Sequence, residues 1–199
     1  MGGWPDNILR NCLGLRPGES VVVLTDEPLG HARDALCAAA GALQAKQVHA
    51  HTLPGPGRIA LIPAHLMAQV READVIVSLL SALDLAQESP VLRAISGEFH
   101  ARGVGRWAYG AQIDHDVLAH EFTGDYHTVE RHARRLAAEL AGADQVHITS
   151  DAGTDITLCI GERPLHVETG ILAGRGAYGN LPGGEVFAAP LEESAEGQL

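Results

Sequence analysis

Hydrophobic and polar positions change period several times along this chain, and the changes mark its elements. Ser20-Val21-Val22-Val23-Leu24-Thr25 is an unbroken, largely β-branched run, the pattern of a strand buried on both faces. A loop at Asp26-Glu27-Pro28-Leu29-Gly30 follows, and over 31–46 apolar residues recur at helical spacing among alanines. Val48-His49-Ala50-His51-Thr52-Leu53 alternates as a strand does, which puts His49 and His51 on one face. Pro54-Gly55-Pro56-Gly57 breaks the chain. The pattern then predicts a helix over 63–73, a strand over 74–80, a helix over 90–102 and a strand over 106–110. Ahead of all these, a short amphipathic stretch over 7–15 is ended by the turn signal Arg16-Pro17-Gly18-Glu19. Strands alternating with helices at this spacing predict an α/β layer with a parallel, Rossmann-like or flavodoxin-like sheet and right-handed crossovers.

Beyond that layer the period changes again. Val129, Ala133, Leu136, Ala137 and Leu140 share one face of a helix predicted over 126–141. Strands over 145–149 and 156–160 flank Ala152-Gly153-Thr154-Asp155, the signature of an antiparallel hairpin. Gly161-Glu162-Arg163-Pro164 is a turn, and 165–168 is a short strand. The glycine-rich stretch over 169–179 reads as a mobile or closely packed loop. We therefore expect an α/β domain with its connecting helix over 1–143, followed by the start of a β-rich domain over 144–199.

Composition narrows the function classes. With 14 basic against 25 acidic residues the formal net charge is −11, which argues against a nucleic-acid or anionic-membrane partner. No apolar run approaches the roughly 18 residues of a membrane span, and Met1-Gly2-Gly3-Trp4-Pro5-Asp6 has neither the basic nor the apolar part of a signal peptide. Cys12, Cys37 and Cys159 are widely spaced and include no C-x-x-C pair, so they build neither a disulfide framework nor a zinc knuckle, and a reducing cytoplasm is the expected compartment.

Candidate chemistry is sparse in the first layer. A parallel sheet places ligands at the carboxyl ends of its strands, here near Thr25-Asp26-Glu27 and 78–81, but neither a G-x-G-x-x-G nor a P-loop motif is present to hold a nucleotide. His49 and His51 lack a third ligand at evident spacing and read as solvent-facing or loop-contacting. His115, His120 and His127 sit in the densest polar cluster, read as solvated residues around a capped helix. Asp151 and Asp155 are explained by turn chemistry as well as by acid/base chemistry. Near the end, Tyr178-Gly179-Asn180-Leu181-Pro182-Gly183-Gly184-Glu185-Val186-Phe187-Ala188-Ala189-Pro190 sets one carboxylate, Glu185, between two glycines and an apolar pair. That carboxylate is either a site residue or a turn residue.

This last segment resembles the GNLP-x-GEV-x-x-AP signature of the thermophilic, M29-type leucyl aminopeptidase superfamily, which also includes dihydroxypyridine ring-cleaving dioxygenases. Val146-His147-Ile148-Thr149-Ser150-Asp151-Ala152-Gly153-Thr154-Asp155-Ile156-Thr157 is similar to that superfamily's T-S-x-A-G-T-D-L-T hairpin. The resemblance implies a metallopeptidase-like second domain, with Glu185 as the first protein ligand of a catalytic divalent metal; His166, Glu168 and Asp155 are weaker neighbours in the same stretch. It implies zinc, manganese or cobalt and a peptide substrate in an aminopeptidase, or ferrous iron and a small aromatic substrate in a dioxygenase. The superfamily's remaining His and Asp ligands fall in a half that would follow Leu199, so we expect a homo-oligomer or a second chain to complete the site. A non-catalytic binding or assembly module is the third reading.

Overall fold

The computed structural model describes residues 3–54, 63–82, 89–161 and 163–198. Most of the expected break over 54–57, Glu162 of the turn over 161–164, and Met1 and Gly2 lie outside the described residues. The chain divides into two units: Met1–His127 with Gly170–Gly183, and Thr128–Thr169 with Gly184–Leu199.

In the first unit a helix (α1) opens at Trp4–Asp6 and continues in wider, π-type turns over Asn7–Cys12. Strands β1 (Ser20–Thr25), β2 (Gln47–Thr52), β3 (Val75–Leu79) and β4 (Arg106–Gly110) alternate with helices α2 (Gly30–Ala42), α3 (Ala64–Glu72) and α4 (Pro90–Arg102). The strands pair in parallel in the order β2-β1-β3-β4, as the α/β reading expects, and a fifth strand, β8 (Ala177–Asn180), extends the sheet beyond β4.

β1 shows why the sheet sits where it does. Val21 and Val23 point to one side, into a core with Ile8, Leu13, Leu36 and Phe122; Val22 and Leu24 point to the other, against Leu66, Val70, Ile95 and Phe99. Helices on both faces bury the strand completely, which is what a continuous apolar run requires. The second core closes on aromatic rings: Phe99 is 1% exposed and meets Trp107 edge to face at 5.6 Å. The Trp107 indole N–H donates to Ser78 Oγ at 2.9 Å, so neither buried polar group is orphaned.

Two boundaries differ from the sequence expectation. α2 ends at Ala42, not at Lys46, because the chain turns through Gln44 at φ 61° and Lys46 N already donates to Glu19 O beside β1. The glycine-rich stretch over 169–179 is not only a loop. Its end supplies β8, so the first unit draws on residues that the expected division at 143 gave to the second domain.

The second unit takes in most of α6 (Tyr126–Leu140), whose capping Asp125 accepts from His127 N at 3.1 Å. The expected hairpin is present as β5 (Gln145–Thr149) against β6 (Asp155–Cys159). A strand not foreseen, β10 (Glu196–Gln198), pairs antiparallel with β6 and makes this a three-stranded sheet. A separate antiparallel ribbon joins β7 (His166–Glu168) to β9 (Glu185–Phe187). The α5 turn (His115–His120) belongs to the first unit and is capped by Asp114, which accepts from Val117 N at 2.9 Å.

Two stability predictions arise from this core. Phe99→Ala is expected to lower unfolding free energy by about 3–5 kcal/mol, seen as an earlier urea midpoint. Burial pushes the Cys12 thiol from 9.0 up to about 12, and burial also raises Tyr126. The folded state therefore holds the thiol proton more tightly than the unfolded chain does. That contribution is complete below pH 9.0 and is lost at roughly 1.4 kcal/mol per pH unit as pH rises toward 12. Thermal melts should show falling stability above pH 9, and Cys12→Ala should flatten the first part of the decline.

Candidate functional site

The signature around Glu185 is shared between the two units. Tyr178 to Asn180 complete β8 of the parallel sheet, whereas Gly184 to Phe187 open the ribbon of the second unit. Gly184 takes a φ of 134°, and a Cβ there would stand 2.9 Å from Val129 Cγ1, so no other residue fits without displacement. Its N–H donates to Glu168 O at 2.7 Å and fixes the register of the ribbon.

That register decides which candidates meet. Glu185 lies directly opposite Glu168, Val186 opposite Val167, and Phe187 opposite His166. Side chains alternate along a strand, so His166, Glu168, Glu185 and Phe187 share one face and the two valines the other. The His166 ring stacks on Phe187 with centroids 5.0 Å apart and planes at 18°. A row of imidazole and two carboxylates is a donor set suited to first-row divalent ions. Directly opposed like charges repel, and a cation between them would relieve that repulsion.

Asp155, the fourth sequence candidate, is elsewhere. It begins β6 in the three-stranded sheet, and its Oδ1 pairs with His147 Nε2 at 2.8 Å across to β5, an exposed contact. His51 is likewise engaged, its Nε2 lying 2.6 Å from Gln69 Oε1. Among the described residues no group of three or more His, Cys, Asp or Glu side chains is gathered so as to hold a metal ion. The ribbon thus matches the implied metal in donor type, while the described residues do not close a site around it.

The carboxyl ends of β1 and β3, where the strand order reverses, are closed by a side chain. Asp26 Oδ2 accepts from both Ser81 N at 2.9 Å and Ser81 Oγ at 2.5 Å. The other Asp26 oxygen and Thr25 Oγ1 are buried without a hydrogen-bond partner among the described residues.

The architecture is an α/β layer followed by a β-rich part, and it is shared with two solved structures. One is the 2,5-dihydroxypyridine dioxygenase from Pseudomonas putida KT2440, at 23% identity and TM-score 0.61, covering 90% of this chain. The other is AmpT from Thermus thermophilus, at 18% identity and TM-score 0.66, covering 98% of this chain. This chain spans 52% of the length of the former and 62% of the latter. A family model for 2,5-dihydroxypyridine 5,6-dioxygenase, NicX, matches residues 6–199, and the chain belongs to that family. No curated sequence matches it. No helix among the described residues is long and apolar enough to cross a membrane.

The Glu168–Glu185 opposition generates a prediction of its own. Without metal, Glu185→Gln removes one of two facing charges and should raise the melting midpoint by about 1–2 °C at low ionic strength, the gain shrinking with added salt. An unchanged or lower midpoint would contradict the opposition of the two carboxylates.

Proposed function

We propose that this chain serves a metal-dependent, ring-cleaving dioxygenase acting on a hydroxylated pyridine, with Glu185 as a metal ligand and Glu168 and His166 beside it. The observation that carries this reading is the dioxygenase family model, which runs over residues 6–199 and so includes the whole ribbon. Ferrous iron would supply the open coordination positions at which such chemistry binds dioxygen and substrate. Glu185 and Glu168 contribute the negative charge that favours a divalent ion, and the stacked Phe187 holds the imidazole of His166 in one orientation. The remaining ligands come from a second copy of this chain, so the purified protein can complete the site.

A metal-dependent aminopeptidase, working through zinc, manganese or cobalt on a peptide amino end, is the second reading. It is favoured by the resemblance of the Glu185 segment to the M29-type signature and by the fold shared with AmpT across 98% of this chain. Opposed carboxylates also suit a co-catalytic pair of ions, which need bridging oxygen ligands.

One experiment separates the readings. The purified protein is loaded with ferrous iron under anaerobic conditions, or with zinc, manganese or cobalt, and its bound metal is measured beside Glu185→Ala. Each loaded form is then given 2,5-dihydroxypyridine with dioxygen, or a leucine anilide. Consumption of dioxygen in step with loss of the pyridine absorbance, with ferrous iron only and abolished in Glu185→Ala, is the expected result. Anilide hydrolysis without dioxygen uptake would replace it with the aminopeptidase reading. Equal metal content in both proteins would remove Glu185 from the ligand set.

A further inference from the structure

The amino ends of the parallel strands carry a feature that the ribbon chemistry does not use. A cavity of about 170 Å³ opens at the amino ends of the strands, lined by Arg16, Glu19, Asp74, Arg106 and Arg175 with Gly105 and Ala173. Three guanidinium groups face two carboxylates in a chain whose net charge is −11. Such a local excess of positive charge in a concave place focuses the field on an anion.

The carboxylates are already engaged. Glu19 Oε2 accepts from Arg106 Nη2 at 2.6 Å and from Arg16 N at 2.8 Å. Asp74 Oδ2 accepts from Ser20 N at 2.9 Å and Ser20 Oγ at 3.0 Å. Arg106 is 5% exposed and also donates from Nη1 to Gly14 O at 2.8 Å, so it is a fixed floor. Among the described residues, no carboxylate pairs with the guanidinium of Arg16 or of Arg175.

Both of these arginines stand on pinned turns. Arg16-Pro17-Gly18-Glu19 closes through Glu19 N to Arg16 O at 3.2 Å, with Gly18 at φ 85° in the third position. Gly174-Arg175-Gly176-Ala177 closes through Ala177 N to Gly174 O at 3.1 Å, with Gly176 at φ 70° in the same position. Gly176 N also donates to Gly105 O at 2.7 Å, and Gly18 N to Gln44 O at 2.8 Å. The turns therefore hold two uncommitted guanidinium stems at the rim of the cavity, with the backbone cost of ordering them already met.

We propose that this amino-end cavity is a binding site for a small dianionic oxyanion, a phosphoryl or dicarboxylate group, clamped between Arg16 and Arg175 over the Arg106 floor. Planar guanidinium groups bind such oxygens in pairs, and charge-assisted bonds of this kind are the strong ones. The site is independent of the metal reading, because none of its residues lies in the ribbon.

The test is calorimetric titration of the whole chain with inorganic phosphate and, separately, with malonate, at ionic strength held constant with potassium chloride. Saturable binding with Kd of about 0.1–1 mM is expected for at least one of them. The stronger of the two names the group. Arg16→Ala and Arg175→Ala should each weaken it about tenfold or more. Arg135→Ala, which removes an exposed arginine paired with Glu139, should leave it unchanged. Both rim residues are exposed, and matching thermal melts confirm that the variants fold. Absence of saturation by either anion up to about 20 mM, unaltered binding in the Arg16→Ala/Arg175→Ala double variant, or an equal loss in Arg135→Ala would each overturn the proposal.

Discussion

Complete burial of β1 is the constraint on which the first unit depends. Val21, Val22, Val23 and Leu24 are all 0% exposed, so every backbone N–H and C=O between them must find a partner without water. Only neighbours on both edges satisfy that demand, and β2 and β3 supply them in parallel register. Parallel neighbours in turn need crossovers long enough to hold helices, which cover the two faces that the valines and leucine expose. One apolar run thus entails the sheet, its connections and its two cores.

The same accounting explains why the chain returns to the sheet after a long excursion. β4 has a second edge, and β8 covers it, pairing Arg106 to Tyr109 with Ala177 to Asn180. Arg106 sits at that edge with a buried guanidinium compensated by Glu19 and Gly14 O, an arrangement stable only when both hydrogen-bond acceptors stay in place. Leu172 N donates to Cys12 O at 2.6 Å, so the segment before β8 is tied to α1 as well. Consequently the Glu185 signature begins in one unit and ends in the other.

What was legible in the sequence follows from these forces. β1, β3 and β4 carry apolar runs that only a buried strand explains, and the hairpin of β5 and β6 is marked by Gly153. β8 was not legible, because Ala177-Tyr178-Gly179-Asn180 has no period and owes its extended form to hydrogen bonds with β4. β7 was expected over 165–168, whereas β10 has three residues, too short for alternation to show. Glu185 could be singled out by its glycines and its family signature. Its opposition to Glu168 could not, since register across a ribbon depends on the Gly184 N–H to Glu168 O bond and not on composition. The arginine cavity was hidden for a similar reason: Arg16, Arg106 and Arg175 are far apart in sequence, and only the amino-end turns bring them to one rim.

Charge separates the two candidate regions. In the ribbon, two carboxylates are set opposite each other by backbone pairing, and the excess negative charge calls for a cation. At the amino ends of the sheet, two arginines are set by glycine turns beside a compensated third, and the excess positive charge calls for an anion. In both places the surrounding backbone holds each group in a defined position. Like charges held together by backbone geometry repel each other. A ligand of opposite sign would relieve that repulsion on binding, and a scaffold that holds the charges in place spares the ligand the cost of ordering them.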